Sequence, residues 1–241
     1  MFFRQILHED LSCASYVIGC PTYGTCVVID PQGDPQEYVR RMESAGLTEM
    51  TAVIDTHLHA DHLSCGRSLA TMTGAPYGLG ARASPRFKFL PLEDGEVIRS
   101  GNRVIQVLHT PGHTQEHISL VVDEWFVMTG DTLFVGDVGR VDLALENLSR
   151  EELRSRADPL HRSLHRLLQL PDDLEVYPGH YSGSVCGRGM DGKPVSTIGR
   201  ERTKNRPLAL SGDEFATFQT EFLPPLPQHF HDIKRKNLGI L

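Results

Sequence analysis

Thr56-His57-Leu58-His59-Ala60-Asp61-His62 crowds three imidazoles and a carboxylate into one short length of backbone. Polar side chains packed this closely need a cation or a dense hydrogen-bond network to satisfy them. Neutral imidazole together with carboxylate suits zinc, iron and manganese. Three further ligand-type residues occur downstream: His113 in Thr110-Pro111-Gly112-His113-Thr114, Asp131 in Thr129-Gly130-Asp131-Thr132, and His180 in Tyr177-Pro178-Gly179-His180-Tyr181. Each follows an apolar, β-type run, at residues 104–108, 125–128 and 174–177, while Val53-Ile54 precedes the histidine cluster. The pattern predicts four strand ends delivering ligands to one edge of a sheet, since strands fix position and the loops beyond them carry polar chemistry.

The rest of the sequence sets bounds on this chemistry. The 241 residues suffice for one large α/β unit, with no linker-like stretch, so a single domain over residues 1–241 is expected. A formal charge of −7 argues against a nucleic-acid face, and the short basic cluster Lys234-Arg235-Lys236 reads as solvated. No apolar run is long enough for a membrane helix. Met1-Phe2-Phe3-Arg4-Gln5-Ile6 lacks the basic, apolar and small-residue regions of a secretory signal, which predicts a cytoplasmic enzyme. A homodimer is the default oligomer for such a protein. The cysteines Cys13, Cys20, Cys26, Cys65 and Cys186 are odd in number and form no C-x-x-C pair, so neither a disulfide framework nor a zinc ribbon is expected. Cys13, Cys20 and Cys26 should pack as small hydrophobes. Cys186, in a glycine-rich stretch near His180, is a weaker candidate for a nucleophile.

Local signals place these residues on elements. Strands are predicted at 15–18, 25–29, 51–54, 103–108, 118–122 and 125–128, with Asp123-Glu124 as a hairpin connection. Asp34-Pro35 opens a helix that closes near Gly46, and a second helix is expected from Asp61 to Met72, ending at Gly74. Ser149-Arg150-Glu151-Glu152 is a capping box ahead of a helix whose apolar face is Leu153, Leu160, Leu164, Leu167 and Leu168, despite Pro159; His161 and His165 on it read as surface residues. Ser211 to Glu214 repeats the capping pattern before a stripe of Phe215, Phe218 and Phe222. Leu223-Pro224-Pro225-Leu226-Pro227 cannot be helical and should lie extended.

The series H-x-H-x-D-H, a lone histidine after T-P-G, G-D-T and a final G-H resembles the metallo-β-lactamase superfamily along essentially the whole chain. The resemblance implies an α/β fold, the four-layer αβ/βα sandwich with a metal site at one edge. Within that superfamily His57, His59, Asp61, His62, His113, Asp131 and His180 can hold two metals bridged by Asp131, as in the glyoxalase II-type thioesterases, where two Zn(2+) ions generate hydroxide at neutral pH. A subset, His57, His113 and Asp131, is a two-histidine, one-carboxylate triad suited to one Fe(2+) and dioxygen chemistry, as in the persulfide dioxygenases. His59, Asp61, His62 and His180 would then orient those ligands. The ligand set alone leaves both arrangements open.

Flanking residues lean to the dioxygenases. Gly139-Arg140-Val141-Asp142 is similar to their G-R-x-D, where glyoxalase II enzymes carry a lysine and an aromatic pair, and Ser196-Thr197-Ile198 with Glu201-Arg202 and Asn205 is similar to a further segment of theirs. The resemblance thus implies oxidation of a low-molecular-weight persulfide, such as glutathione persulfide, by O2 to sulfite and thiol. Arg140 would either clamp a carboxylate of the thiol or pin its loop through Asp142. Two departures from the family stand out. A glycine-rich insert runs from Tyr181 to Pro194, whose Arg188 and Lys193 could bind the carboxylates of an acidic thiol, and Tyr181 follows the last histidine directly instead of one residue later. The alternatives are a two-zinc hydroxyacylglutathione thioesterase, another hydrolase of this fold acting on lactones or phosphodiesters, and a metal-dependent sensor without turnover.

Overall fold

The computed structural model describes residues 1–143, 148–221, 223 and 225–241. Two six-stranded sheets form its centre. In the first, β1 (Phe2–His8), β2 (Cys13–Cys20) and β3 (Thr25–Ile29) are antiparallel, and β4 (Glu49–Ile54), β5 (Tyr77–Gly80) and β6 (Leu90–Leu92) continue from β3 in parallel. The second holds β7 (Val97–Ser100), β8 (Arg103–His109), β9 (Ile118–Val122), β10 (Phe126–Gly130), β11 (Glu175–Pro178) and β12 (Ser196–Thr197) in that spatial order, parallel only between β10 and β11. Helices α1 (Pro35–Ser44), α2 (Gly66–Thr73), α3 (Arg150–Leu167), α4 (Ile198–Lys204), α5 (Gly212–Glu221) and α6 (Phe230–Asn237), with a short 3-10 helix at Arg206–Ala209, complete the described elements.

Alternation along the strands sorts side chains into layers. Tyr16, Ile18, Val27, Ile29 and Ile54 of the first sheet meet Ile105, Val107, Ile118, Leu120 and Met128 of the second between the sheets. The opposite face of the first sheet, with Val17, Val28 and Val53, packs on Tyr38 and Met42 of α1 and Leu69 of α2. The second sheet turns Val127 and Val176 to Leu160, Leu164 and Leu167 of α3 and Phe215 of α5. Both faces of each sheet are thereby covered, so β2, β3, β9 and β10 are buried at every position. This is the expected αβ/βα sandwich.

Local chemistry accounts for the element ends. Asp34 caps α1 by accepting the Gln36 amide at 3.0 Å, with Pro35 at the first helical position. Ser149 and Glu152 form the capping box of α3, which continues through Pro159. Asp123 and Glu124 both have positive φ, 49° and 54°, in the tight turn between β9 and β10 that the Trp125 amide closes on the Val122 carbonyl at 2.9 Å. Phe215 is buried and Phe218 packs beside it, whereas Phe222 and Pro224 lie outside the described residues; Leu223 and 225–227 are non-helical. Lys234-Arg235-Lys236 falls in the last turn of α6, a helix absent from the sequence reading. Among the described residues no helix is long and apolar enough to cross a membrane.

Two expectations change. The helix expected from Asp61 begins only at Gly66, because residues 57–64 run as an irregular, bent loop tied to distant groups; its end, at Gly74 in the left-handed conformation, is as expected. The ligand-bearing strands do not share one sheet edge either. β4 belongs to the first sheet and β8, β10 and β11 to the second, so the site sits where the ends of both sheets face each other.

Candidate metal centre

The loop after β4 is fixed before it offers any ligand. Asp30, just past β3 at φ 48°, accepts the Thr56 amide at 2.6 Å on Oδ1 and the Thr56 hydroxyl at 2.9 Å on Oδ2. Glu116 Oε1 accepts the Leu58 amide at 2.9 Å. With its hydroxyl hydrogen directed to Asp30, Thr56 Oγ1 accepts from His57 Nδ1 at 3.0 Å, which leaves the Nε2 of His57 as a bare lone pair. His113 reaches the same state by another route: its Nδ1 donates to the Arg140 carbonyl at 2.8 Å. Fixing one ring nitrogen by hydrogen bonding is how proteins orient a metal-binding imidazole.

Those two Nε2 atoms lie 3.9 Å and 3.6 Å from Asp131 Oδ2. His57, His113 and Asp131 are each at most 2% exposed, and both His57 Nε2 and Asp131 Oδ2 lack any hydrogen-bond partner. Three electron-pair donors therefore face one point with no proton between them, an arrangement that costs free energy unless a cation lies there. Burial holds His57 well below the ordinary imidazole range, aided by the neighbouring rings of His59 and His113, and it lowers His113 as well. Burial by itself would raise the Asp131 carboxyl, but the charge and hydrogen bond of His180 outweigh it and bring the pKa down to about 2. The donor set, already deprotonated, fits a metal ion.

Asp131 is held both at its carboxylate and at its backbone amide. His180 Nδ1 donates to its Oδ1 at 2.7 Å, and His180 Nε2 donates to Asp61 Oδ2 at 2.8 Å. Burial opposes a charged His180, yet the Asp131 and Asp61 carboxylates around it raise its pKa well above the usual value. The restraint on the amide comes from a residue that the sequence reading missed. His117 Nε2 accepts the Asp131 amide at 3.0 Å, its ring stacks on His57 at 5.1 Å, and burial lowers its pKa to about 3. His59, Asp61 and His62 also bring donor atoms within 4.8 Å of one another, and the Nδ1 of His59 and Nε2 of His62 are unpartnered. His59 turns its Nε2 to Asp30 at 3.3 Å.

The remaining candidates lie around this core. Arg140 is buried, with bonds from Nε and Nη2 to Asp142 at 2.6 and 2.7 Å and from Nη1 to the carbonyls of Val185 and Pro225. Of the two roles the sequence allowed it, the contacts present are those of the pin. The glycine-rich insert is tied down by Asp137, which accepts the amides of Arg188 and Gly189, and by the Asp191 amide on the Val135 carbonyl. Arg188 donates to Gln219 and lies 4.5 Å from the Phe218 ring centre, both on α5; Lys193 is exposed; the Tyr181 amide donates to the Ser12 carbonyl. Cys186 is fully buried within 4.8 Å of donor atoms of Asp61 and His180, and burial pushes its thiol well above the ordinary range, which does not suit a nucleophile. The other four cysteines are buried and unbridged, as expected.

Close packing around Asp131 makes one prediction. A Cβ on Gly139 would lie 1.9 Å from the Asp131 carbonyl oxygen, a backbone atom that cannot yield without moving the ligand. Gly139→Ala should destabilise the apoprotein by about 1–3 kcal/mol. A denaturant titration checks this, and an unchanged midpoint would contradict the packing.

The metallo-beta-lactamase superfamily model matches residues 8–180 of the chain. The human protein named persulfide dioxygenase ETHE1, mitochondrial, is 30% identical over 233 residues, covering 95% of this chain and 84% of that one. The crystal structure of ETHE1 from Myxococcus xanthus superposes with a TM-score of 0.83 at 30% identity, covering 100% of this chain and 99% of that one. A metallo-beta-lactamase structure from Staphylococcus aureus subsp. aureus COL gives 0.88 at 32% identity, covering 98% of this chain and 72% of that one.

Proposed function

The chain belongs to the metallo-β-lactamase superfamily, and within it we propose an iron(II)-dependent persulfide dioxygenase, in which His57, His113 and Asp131 hold one ion. The reaction is R–S–SH + O2 + H2O → R–SH + sulfite + 2 H⁺, with glutathione the leading candidate for the thiol. The observation that carries this reading is the three deprotonated donors facing one point, a two-histidine, one-carboxylate set of the kind that would hold iron(II) for dioxygen chemistry. His180 supports a single ion, since both of its ring nitrogens are engaged by carboxylates. The relatives named persulfide dioxygenase support the substrate class.

An iron(II) ion bound there would supply the one-electron chemistry that lets dioxygen react with a sulfur anion. The protein's own contribution is positional. Thr56 with Asp30, the Arg140 carbonyl and His180 with His117 fix the three donors in orientation and protonation state before any ligand arrives. Their burial keeps bulk water from the reacting sulfur. Tyr181, Arg188 and Lys193 are the proposed contacts for the thiol's carboxylates, with Arg140 and Asp142 supporting the loop behind them.

A second reading, a two-zinc thioesterase, draws on the convergence of His59, Asp61 and His62. Turnover separates the two. Iron-loaded protein given glutathione persulfide in an oxygen electrode should consume O2 and release sulfite. A flat trace alongside brisk hydrolysis of S-lactoylglutathione would replace the dioxygenase with the thioesterase.

A further inference from the structure

The family model stops at residue 180, yet the chain places one more element against the ligand loop. Helix α6 packs Phe230 with Ala60 of that loop and with Leu143, beyond the Arg140–Asp142 pair. Lys234 Nζ donates to the Leu143 carbonyl. Three residues on, and so on the same helix face, Asn237 Nδ2 donates to the carbonyls of His59 at 2.9 Å and His62 at 2.8 Å, while its Oδ1 accepts the Ser64 amide at 3.2 Å. Two carbonyls on one side and an amide on the other fix which amide atom points where.

We propose that Asn237 is a positioning residue of the metal centre, and that α6 is the wall that sets the ligand loop. Residues 59–64 are also tied at Asp61 by His180 and at Ser64 by the Gln32 bridge, but neither of these reaches the carbonyls of His59 and His62. Asp30 and Glu116 secure the loop at Thr56 and Leu58. The turn that follows departs from helix until Gly66, so its carbonyls lack the intrahelical partners a continuous helix would provide. Asn237 replaces those partners with one side chain at three points. His57 is only two residues from His59 on this short backbone segment, so releasing the loop at His59 and His62 loosens the support on the far side of the His57 ligand. Lys234 and Phe230 keep α6 spanning the ligand loop at Ala60 and the Arg140–Leu143 segment, whose Arg140 carbonyl orients His113.

The inference rests on the metal-centre reading and not on the substrate, so its test is metal binding. Full-length protein is stripped of metal and titrated with Co²⁺ and with Fe²⁺ against a competing chelator, while the cobalt visible spectrum and the melting temperature of the apoprotein are followed. Asn237→Ala removes all three bonds. The isosteric Asn237→Asp keeps the acceptor for Ser64 but turns an oxygen toward two carbonyls. Both should weaken metal binding by about 10–100-fold, the range for groups that orient ligands, and alter the cobalt spectrum, with a smaller proportional change in apoprotein melting. Lys236→Ala, exposed on the same helix, should leave affinity and spectrum unchanged. Wild-type affinity in both Asn237 variants would overturn the proposal, as would a loss of apoprotein stability large enough to account for the whole effect. Wild-type protein binding neither ion would instead sink the metal-centre reading itself.

Discussion

His113→Ala should leave a folded protein that retains little iron and takes up no oxygen. The loss should exceed the roughly 10–100-fold typical of groups that merely orient a ligand, because a triad has no spare donor. Both nitrogens of the wild-type ring are occupied in this role, with Nδ1 donating to the Arg140 carbonyl and Nε2 facing Asp131 Oδ2 at 3.6 Å. Elemental analysis of anaerobically purified protein, with circular dichroism to check folding, measures the effect. His62→Ala serves as the internal comparison. In a one-iron site it should keep most of the metal, since His62 Nδ1 is engaged with Asp61 and its ring is outside the triad. Two tightly held zinc ions in the wild type, with one lost in His62→Ala, would move the assignment to the two-metal thioesterase.

The contrast between these histidines marks how far sequence carries. The positions of His57, His113, Asp131 and His180 were legible because each follows a run of β-branched and apolar residues, and a strand end is a rigid place to put a ligand. Which sheet each strand joins was not legible: pairing β4 with β3 and β10 with β11 is a long-range choice that no local pattern encodes. The start of α2 was missed for a related reason. Local propensity from Asp61 onward permits a helix, and distant partners, Asn237 over 170 positions away among them with His180 and Gln32, hold residues 59–64 in a bent loop instead. His117 and Asp30 were overlooked because they act mainly on backbone amides and a hydroxyl of distant loops and belong to no recurring spacing. The Thr110-to-His117 interval did contain a signal, since a second histidine four residues beyond a ligand histidine invites a question about its partner. The short exposed strands β6 and β7 offered no burial pattern to detect.

Arg140 is where sequence framed the alternatives and geometry weighs them, and its replacement carries the second large effect. Arg140→Met should destabilise the protein by about 3–5 kcal/mol, the usual consequence of removing one partner from a buried ion pair. At a few degrees per kcal/mol for a chain of this size, the melting temperature should fall by on the order of 10 °C. Three losses combine: the two bonds to Asp142, the anchor to the Val185 carbonyl of the insert, and the anchor to the Pro225 carbonyl ahead of α6. Asp142→Asn should move stability in the same direction but less, because the amide retains an acceptor for the guanidinium while losing the charge. Metal affinity should fall with stability in Arg140→Met, since the backbone carbonyl that orients His113 belongs to this same residue. A clamp on substrate predicts the opposite pattern: a raised KM, an intact kcat, and unchanged melting and metal content. Measuring KM, kcat, metal content and melting temperature on both variants decides between them, and a stable Arg140→Met protein with a tenfold higher KM would restore the clamp.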